Sequence, residues 1–327
     1  MVGLRTFAKR LDFVGPRRYF LLGSLTLCVI SVVLLLTRGL NFGLDFSGGV
    51  LVDVRFQRVV AASDLRVELE RGGFEKYTVQ ASDQEQSFIV RLPQSDDANL
   101  SDAAISVLRG LDADLIVRQV DFVGAQVGSE LVEQGVIGTL AALLLILLYI
   151  AFRFQLKFAL GAIVALFHDV LITLGFFSAV WLEFDLGVLA ALLALIGYSL
   201  NDTIVVFDRV RENFYFSSDA GNSEKVINGS IQDVFERSIH TSSTTLLVLV
   251  SLLVFGGPAI FDFALALSVG IIVGTYSSFC IASPVLLLLN IQREDVVIEA
   301  RSDKETEAKP IPARSCLTCG LSAQTHP

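Results

Sequence analysis

Six apolar runs, each near the twenty residues that an α-helix needs to cross a hydrocarbon core, divide this chain: 19–37, 134–152, 158–180, 187–207, 240–257 and 263–289. The fifth opens on Thr241, Ser242, Ser243, Thr244 and Thr245. Hydroxyls of that kind bond back to helix carbonyls in lipid, so the run still predicts a helix. Between the first two runs the pattern changes. Strands are predicted over 50–56, 77–80, 87–92 and 115–120, and helices over 63–71 and 99–111. Pro93, Ser95, Asp96 and Asp97 break the chain between the third strand and the second helix. The order βαββαβ is that of a ferredoxin-like unit.

The pattern therefore predicts an α-helical polytopic membrane protein with six transmembrane helices and a ferredoxin-like α+β extracytoplasmic domain. Its boundaries are a cytoplasmic N-terminus over 1–18, the first helix over 19–37 and the α+β domain over 38–133. Helices two to six follow over 134–292 with a cytoplasmic loop at 208–239, and a disordered tail covers 293–327.

Composition agrees with a bilayer as solvent: 53% of residues are hydrophobic and the mean hydropathy is +0.64. The formal charge of −9 excludes a nucleic-acid partner, which needs a basic surface. Short-loop cations set the orientation. Arg5, Lys9, Arg10, Arg17 and Arg18 precede the first run, which has no small-residue cleavage site and so reads as an uncleaved signal anchor. Arg153 and Lys157, then Arg209, Arg211, Lys225 and Arg237, fall on the same side, while turns 181–186 and 258–262 carry no lysine or arginine. Both termini are expected in the cytoplasm. The stretch 38–133, with nine basic and sixteen acidic residues, is expected to be translocated.

Cys28 and Cys280 lie in apolar segments, so no disulfide framework holds the α+β domain. Cys316 and Cys319 in the tail, with His326 nearby, are one Cys-x-x-Cys without a second, and no metal site is predicted.

A carboxylate inside a membrane helix is costly, and such residues face a bundle interior or a water path. Asp202 is the main candidate, within Gly197-Tyr-Ser-Leu-Asn-Asp-Thr203, where Tyr198, Ser199, Asn201 and Thr203 can hydrogen-bond or hydrate it. Two readings stand: a structural pair with an arginine, or a proton or ion relay. Arg237, just before the fifth run, can approach Asp202 and form a two-state electrostatic element. Asp208, Arg209, Arg211 and Glu212 sit where the fourth run emerges and read as an interfacial, docking face. His168 and Asp169 lie midway along the third run. Neighbouring positions on a helix diverge, so at most one of them faces Asp202. Gly270, Gly274 and Ser278 form a small-xxx-small seam, read as helix packing.

Several of these segments together carry a family resemblance: Gly43-Leu-Asp-Phe-Ser-Gly-Gly49, Val123-Gly-Ala-Gln-Val-Gly-Ser-Glu-Leu131, His168-Asp169, Gly197 to Asn213, Thr241 to Thr245 and Phe255-Gly-Gly-Pro258. Over nearly its whole length the chain resembles the SecD/SecF family of the resistance-nodulation-division (RND) superfamily. The resemblance implies half of an RND-type assembly in the bacterial inner membrane, SecD giving the other half, beside the SecYEG translocon and with YajC as a further expected partner. It implies no enzymatic reaction and no cofactor, but use of a transmembrane H⁺ or Na⁺ gradient to promote translocation and release of unfolded polypeptides. It places ion coupling on Asp202 and Arg237; the supporting polar residues, Ser199, Asn201, Thr203, His168 and Asp169, are those read above from their positions in the runs. Gly43, Asp45, Gly48, Gly49, Asp208 and Arg209 are its motif positions. The tail with Cys316 and Cys319 has no counterpart in that pattern.

Three other readings remain: half of a small-molecule or lipid exporter, an intramembrane aspartyl protease using Asp169 and Asp202, and a scaffold for SecD alone.

Overall fold

A computed structural model describes residues 11–74, 77–81, 86–93, 99–216 and 222–296. Ser95, Asp96, Asp97, the cations Arg5, Lys9 and Arg10, and the tail with Cys316, Cys319 and His326 lie outside the described residues.

The elements in chain order are α1 (Arg17–Thr37), β1 (Asn41–Phe42), α2 (Leu44–Ser47), β2 (Gly49–Arg55), α3 (Ala62–Arg71), β3 (Thr78–Ala81), β4 (Ser87–Leu92), α4 (Leu100–Arg109) and β5 (Ile116–Val123). They continue with α5 (Ala125–Arg153), α6 (Leu156–Val180), β6 (Glu183–Phe184), α7 (Leu186–Phe216), α8 (Ser223–Phe255), α9 (Pro258–Ser277), a π-helical turn (Ser278–Ala282) and α10 (Ser283–Leu288). Among the described residues six helical stretches are long and apolar enough to span a membrane: α1, α5, α6, α7, α8 and α9 continued through α10.

The α+β domain has an antiparallel sheet in the order β3-β4-β2-β5, with α3 and α4 as its crossovers, which is the ferredoxin-like topology. Alternation explains the packing. Val50, Val52 and Val54 of β2 point inward with Val90 and Leu92 of β4, and meet Leu65, Leu69, Ala104 and Leu108 from the two helices. Gly48 and Gly49, at φ 65° and 120°, lead the chain from α2 into β2 in backbone states that side-chain-bearing residues rarely adopt.

Several boundaries differ from the hydropathy pattern. The second membrane helix starts at Ala125, not 134, because α5 leaves the sheet directly after Gly124. The segment 208–239 is helical almost throughout: α7 runs to Phe216 and α8 starts at Ser223. The reason is amphipathicity. Val206, Phe207, Val210 and Phe214, and facing them Val226, Ile227, Ile231 and Val234, continue a buried apolar stripe under a charged outer face. A hydropathy window registers those charges and stops. At the end of the sixth span Pro284 has no N–H to donate into the preceding turn, and the helix widens there into the π-helical turn.

Helices α6, α7 and α9 form the centre of the bundle, with half or more of each span buried, against 6% for α5 and 11% for α1. The seam of small residues lets α9 approach α7. A Cβ on Gly270 would stand 2.6 Å from the Leu195 side chain, and one on Gly274 3.1 Å from Ser199 Cβ. Gly270→Val is therefore expected to cost about 1–3 kcal/mol through overpacking. Gly229→Ala, which would meet no atom within 4 Å, is the control. Detergent melting of both variants checks this, and a Gly270→Val protein as stable as the parent would contradict the close approach.

Candidate functional site

Asp202 is buried on the inner face of α7. The helix repeat that hides Ser199, Val206 and Val210 also turns Asp202 inward, toward α8 and the end of α9. Ser238 of α8 donates a hydrogen bond to Asp202 Oδ1, and Ser278, the first residue of the π-helical turn, also faces the carboxylate. Thr203 Oγ1 lies 3.0 Å from Ser278 Oγ. The second carboxylate oxygen, Oδ2, is buried with no hydrogen-bond partner. A buried acceptor left open in this way is costly, and the open position is where a proton would bind.

Arg237 does not occupy that position. Its side chain is exposed and makes no ion pair with Asp202; the neighbouring Ser238 is the residue in contact. Arg237 lines a polar groove between α7 and α8 with Val205, Asp208, Arg209, Glu212, Asp233 and Val234. The groove has a cavity volume of about 500 Å³. Positions 205, 209 and 212 lie three, seven and ten residues after Asp202 on one helix face, so the groove opens one turn beyond the buried carboxylate. Within it Arg209 reaches Asp233 at 2.6 Å and Glu212 at 2.7 Å, clamping α7 to α8. Asp208 lies 3.5 Å from Arg153 at the end of α5.

Other expected neighbours are distributed differently. Asn201 is exposed and points away from the bundle interior, one position round the helix from Asp202. Ser199 is buried but bonds Asp169, not Asp202. The side chains of His168 and Asp169 meet each other, His168 Nδ1 standing 2.9 Å from Asp169 Oδ1, and neither bonds Asp202. Asp169 and Asp202 hold separate hydrogen-bond partners. The paired-carboxylate arrangement that an aspartyl protease needs is therefore not formed here.

The opposite end of α7 carries an arrangement that the sequence pattern did not reveal. β1 and β6 form a short parallel ladder, Asn41 with Glu183 and Phe42 with Phe184, extended by Gly43 N–H donating to the Phe184 carbonyl at 2.8 Å. A Cβ on Gly43 would stand 3.0 Å from Asp185 Cβ, so the glycine permits this approach. Two carboxylates hold the first N–H groups of α7: Asp45 accepts from Leu186 at 3.1 Å and Asp185 from Val188 at 2.7 Å. Acceptors of this kind suit the positive end of a helix dipole. Arg91, from β4 of the α+β domain, forms an ion pair with Glu183. Burial lowers the pKa of its guanidinium, and the carboxylates of Asp185, Asp262 and Asp45 oppose that shift. In sequence Arg91 is only the outward-facing member of an alternating strand, and nothing local marks its partner.

Comparison with known proteins is consistent along the chain. The family described as "Protein export membrane protein SecD/SecF, C-terminal" matches residues 103–292, and the "SecD/SecF GG Motif" matches residues 33–58. The chain is 45% identical over 289 residues to the protein translocase subunit SecF of Pseudomonas aeruginosa, covering 88% of this chain and 94% of that one. It is 41% identical to SecF of Haemophilus influenzae over 91% of this chain and 92% of the relative. Among solved structures, SecDF from Thermus thermophilus, a translocon-associated membrane protein, superposes with a TM-score of 0.78 at 37% identity. That match covers 86% of this chain and 38% of SecDF, so the chain spans well under half of the solved protein.

Proposed function

Because the chain belongs to the SecD/SecF family of protein export membrane proteins, we propose that it is the SecF-type half of an ion-driven assembly in the bacterial inner membrane. SecD supplies the other half. The assembly works beside the SecYEG translocon and YajC and promotes translocation and release of unfolded polypeptides. The α+β domain faces outward and both termini face the cytoplasm, as the short-loop cations favour.

The observation that carries this reading is Asp202, with one buried oxygen unpartnered above a polar groove. The groove leads from the cytoplasmic end to within one turn of it. Proton uptake at Oδ2 neutralises the carboxylate, weakens the attraction between Asp202 and Arg237 and leaves the serine contacts to rearrange. Arg237 is free to swing because it is exposed at the groove wall. Between Leu186 and Asp202, α7 is one unbroken helix of about 24 Å. A tilt at Asp202 therefore moves the β1–β6 ladder, the Asp45 contact and, through Arg91, the α+β domain.

The helix that carries Asp202 also presents Ala190, Ala194, Gly197 and Asn201 as an exposed strip of small residues ending in an amide. Such a strip suits close approach of another helix, and it is the face proposed to meet SecD. Gly197→Leu is expected to reduce co-purification of SecD by about tenfold, equivalent to about 1.4 kcal/mol. Undiminished co-purification would place SecD elsewhere, and failure of the parent chain to retain SecD would favour an exporter assembled without it.

A further inference from the structure

We infer that His168 and Asp169, together with Ser199 and Ser277, form a second proton-binding centre inside the bundle, distinct from Asp202. The inference rests on the ion-driven reading above and extends it.

Asp169 is fully buried, with no exposed surface, and carries three donors or potential donors. Ser199 of α7 donates to Oδ2 at 2.5 Å, Ser277 of α9 donates to the same oxygen at 2.8 Å, and His168 Nδ1 stands 2.9 Å from Oδ1. Two carboxylate oxygens so supplied describe an ionised acid, and Nδ1 must then carry the imidazole proton. That leaves His168 Nε2 as a bare lone pair. His168 is only 5% exposed, and Nε2 has no hydrogen-bond partner.

A buried pair with net charge −1 and an open basic nitrogen is poised to take one proton. Uptake adds H⁺ to Nε2 and breaks no bond. The imidazole becomes imidazolium, and the pair with Asp169 becomes neutral overall, which removes the cost of an unbalanced charge in a low-dielectric bundle. Among the described residues no lysine or arginine forms an ion pair with Asp169 to supply that charge instead. The surrounding polar groups are weak ones. Cys28 faces Asp169 from α1, Tyr276 of α9 lies with its ring 6.4 Å from the imidazole, and Thr173 bonds the Asp169 carbonyl at 2.8 Å.

The position also couples the two centres. Ser277 bonds Asp169 while its neighbour Ser278 faces Asp202, and the π-helical turn begins between them. Ser199 and Asp202 sit three residues apart on α7. Asp169 thus holds Ser199 of α7 and Ser277 of α9, while Asp202, itself on α7, holds Ser238 of α8 and faces Ser278, so the two carboxylates meet at the junction of α7 with the end of α9; π-helical turns are frequent at functional sites. Gly274 allows this: a Cβ there would meet Ser199 Cβ at 3.1 Å and Asp169 Oδ2 at 3.5 Å.

The test is proton flux through the full chain with its SecD half in proteoliposomes, measured across pH. His168→Asn retains an N–H near the place of Nδ1 for Asp169 but cannot bind a proton. It is expected to keep the parent melting temperature, to lower flux by about tenfold and to change the shape of the pH profile. Ser277→Ala, a smaller change, is expected to move the pH of half-maximal flux by about one unit, a tenfold change in proton affinity. Parent-like flux and pH profile in both variants, while Asp202→Asn abolishes flux, would overturn this inference and leave the proposed function standing. Parent-like flux in Asp202→Asn itself would overturn that function, and this inference with it.

Discussion

Asp202→Asn is expected to remove the part of polypeptide export that depends on the membrane potential, while leaving the fold intact. The amide keeps an oxygen for Ser238 and Ser278, and it removes a carboxylate from a buried site, so melting should change by no more than about 1 kcal/mol. What is lost is the proton. One charge moving through 100 mV supplies about 2.3 kcal/mol, a bias of about fiftyfold. The potential-stimulated component of export in membrane vesicles should therefore fall by about tenfold to fiftyfold. Arg237→Ala is expected to act in the same direction and less completely, because Arg237 bears on Asp202 through space and not through a bond. Export by Asp202→Asn at the parent rate would reduce this subunit to a scaffold.

The second large effect is expected at the other end of α7. Arg91→Glu replaces the cation that holds the α+β domain to Glu183 and adds a fifth carboxylate to a site already containing Asp45, Asp185, Asp262 and Glu183. Burial raises the pKa of Asp185, a shift that its contact with Val188 N–H opposes and the neighbouring Asp45 reinforces, so this region already holds negative charge at a cost. The domain should release from the bundle. Export is expected to fall about tenfold while proton flux persists, because Asp202 is untouched. The double variant Arg91→Glu with Glu183→Arg should recover part of the loss. Hydrogen exchange at the β1–β6 ladder reports release directly, and parent-like protection with parent-like export would show that Arg91 transmits nothing.

The parts of this structure legible in sequence are those set by local periodicity. Six apolar runs and an alternating βαββαβ segment are enough for the bundle and the ferredoxin-like sheet, and Asp202 stands out because a charge in such a run is rare. What escaped is non-local or rotameric. The amphipathic continuation of α7 and α8 past residue 207 fails a hydropathy window although its buried stripe is regular. Ser238 looks like any serine that bonds its own helix, and only the crossing of α7 and α8 brings it to Asp202. Arg237 attracts attention by its charge, yet its position one residue round the helix leaves it exposed. His168 and Asp169 diverge at their Cα atoms, and their side-chain rotamers bring them back together. Arg91 and Glu183 are joined by a docking between two domains that no local pattern encodes.

Whether Asp202 carries the coupling proton is decided by proton flux through the complex with SecD, reconstituted in vesicles under an imposed potential. Flux above the leak of protein-free vesicles is expected for the parent chain, partial flux for Asp202→Glu and none above leak for Asp202→Asn. Equal flux from the parent and Asp202→Asn would contradict that role for Asp202.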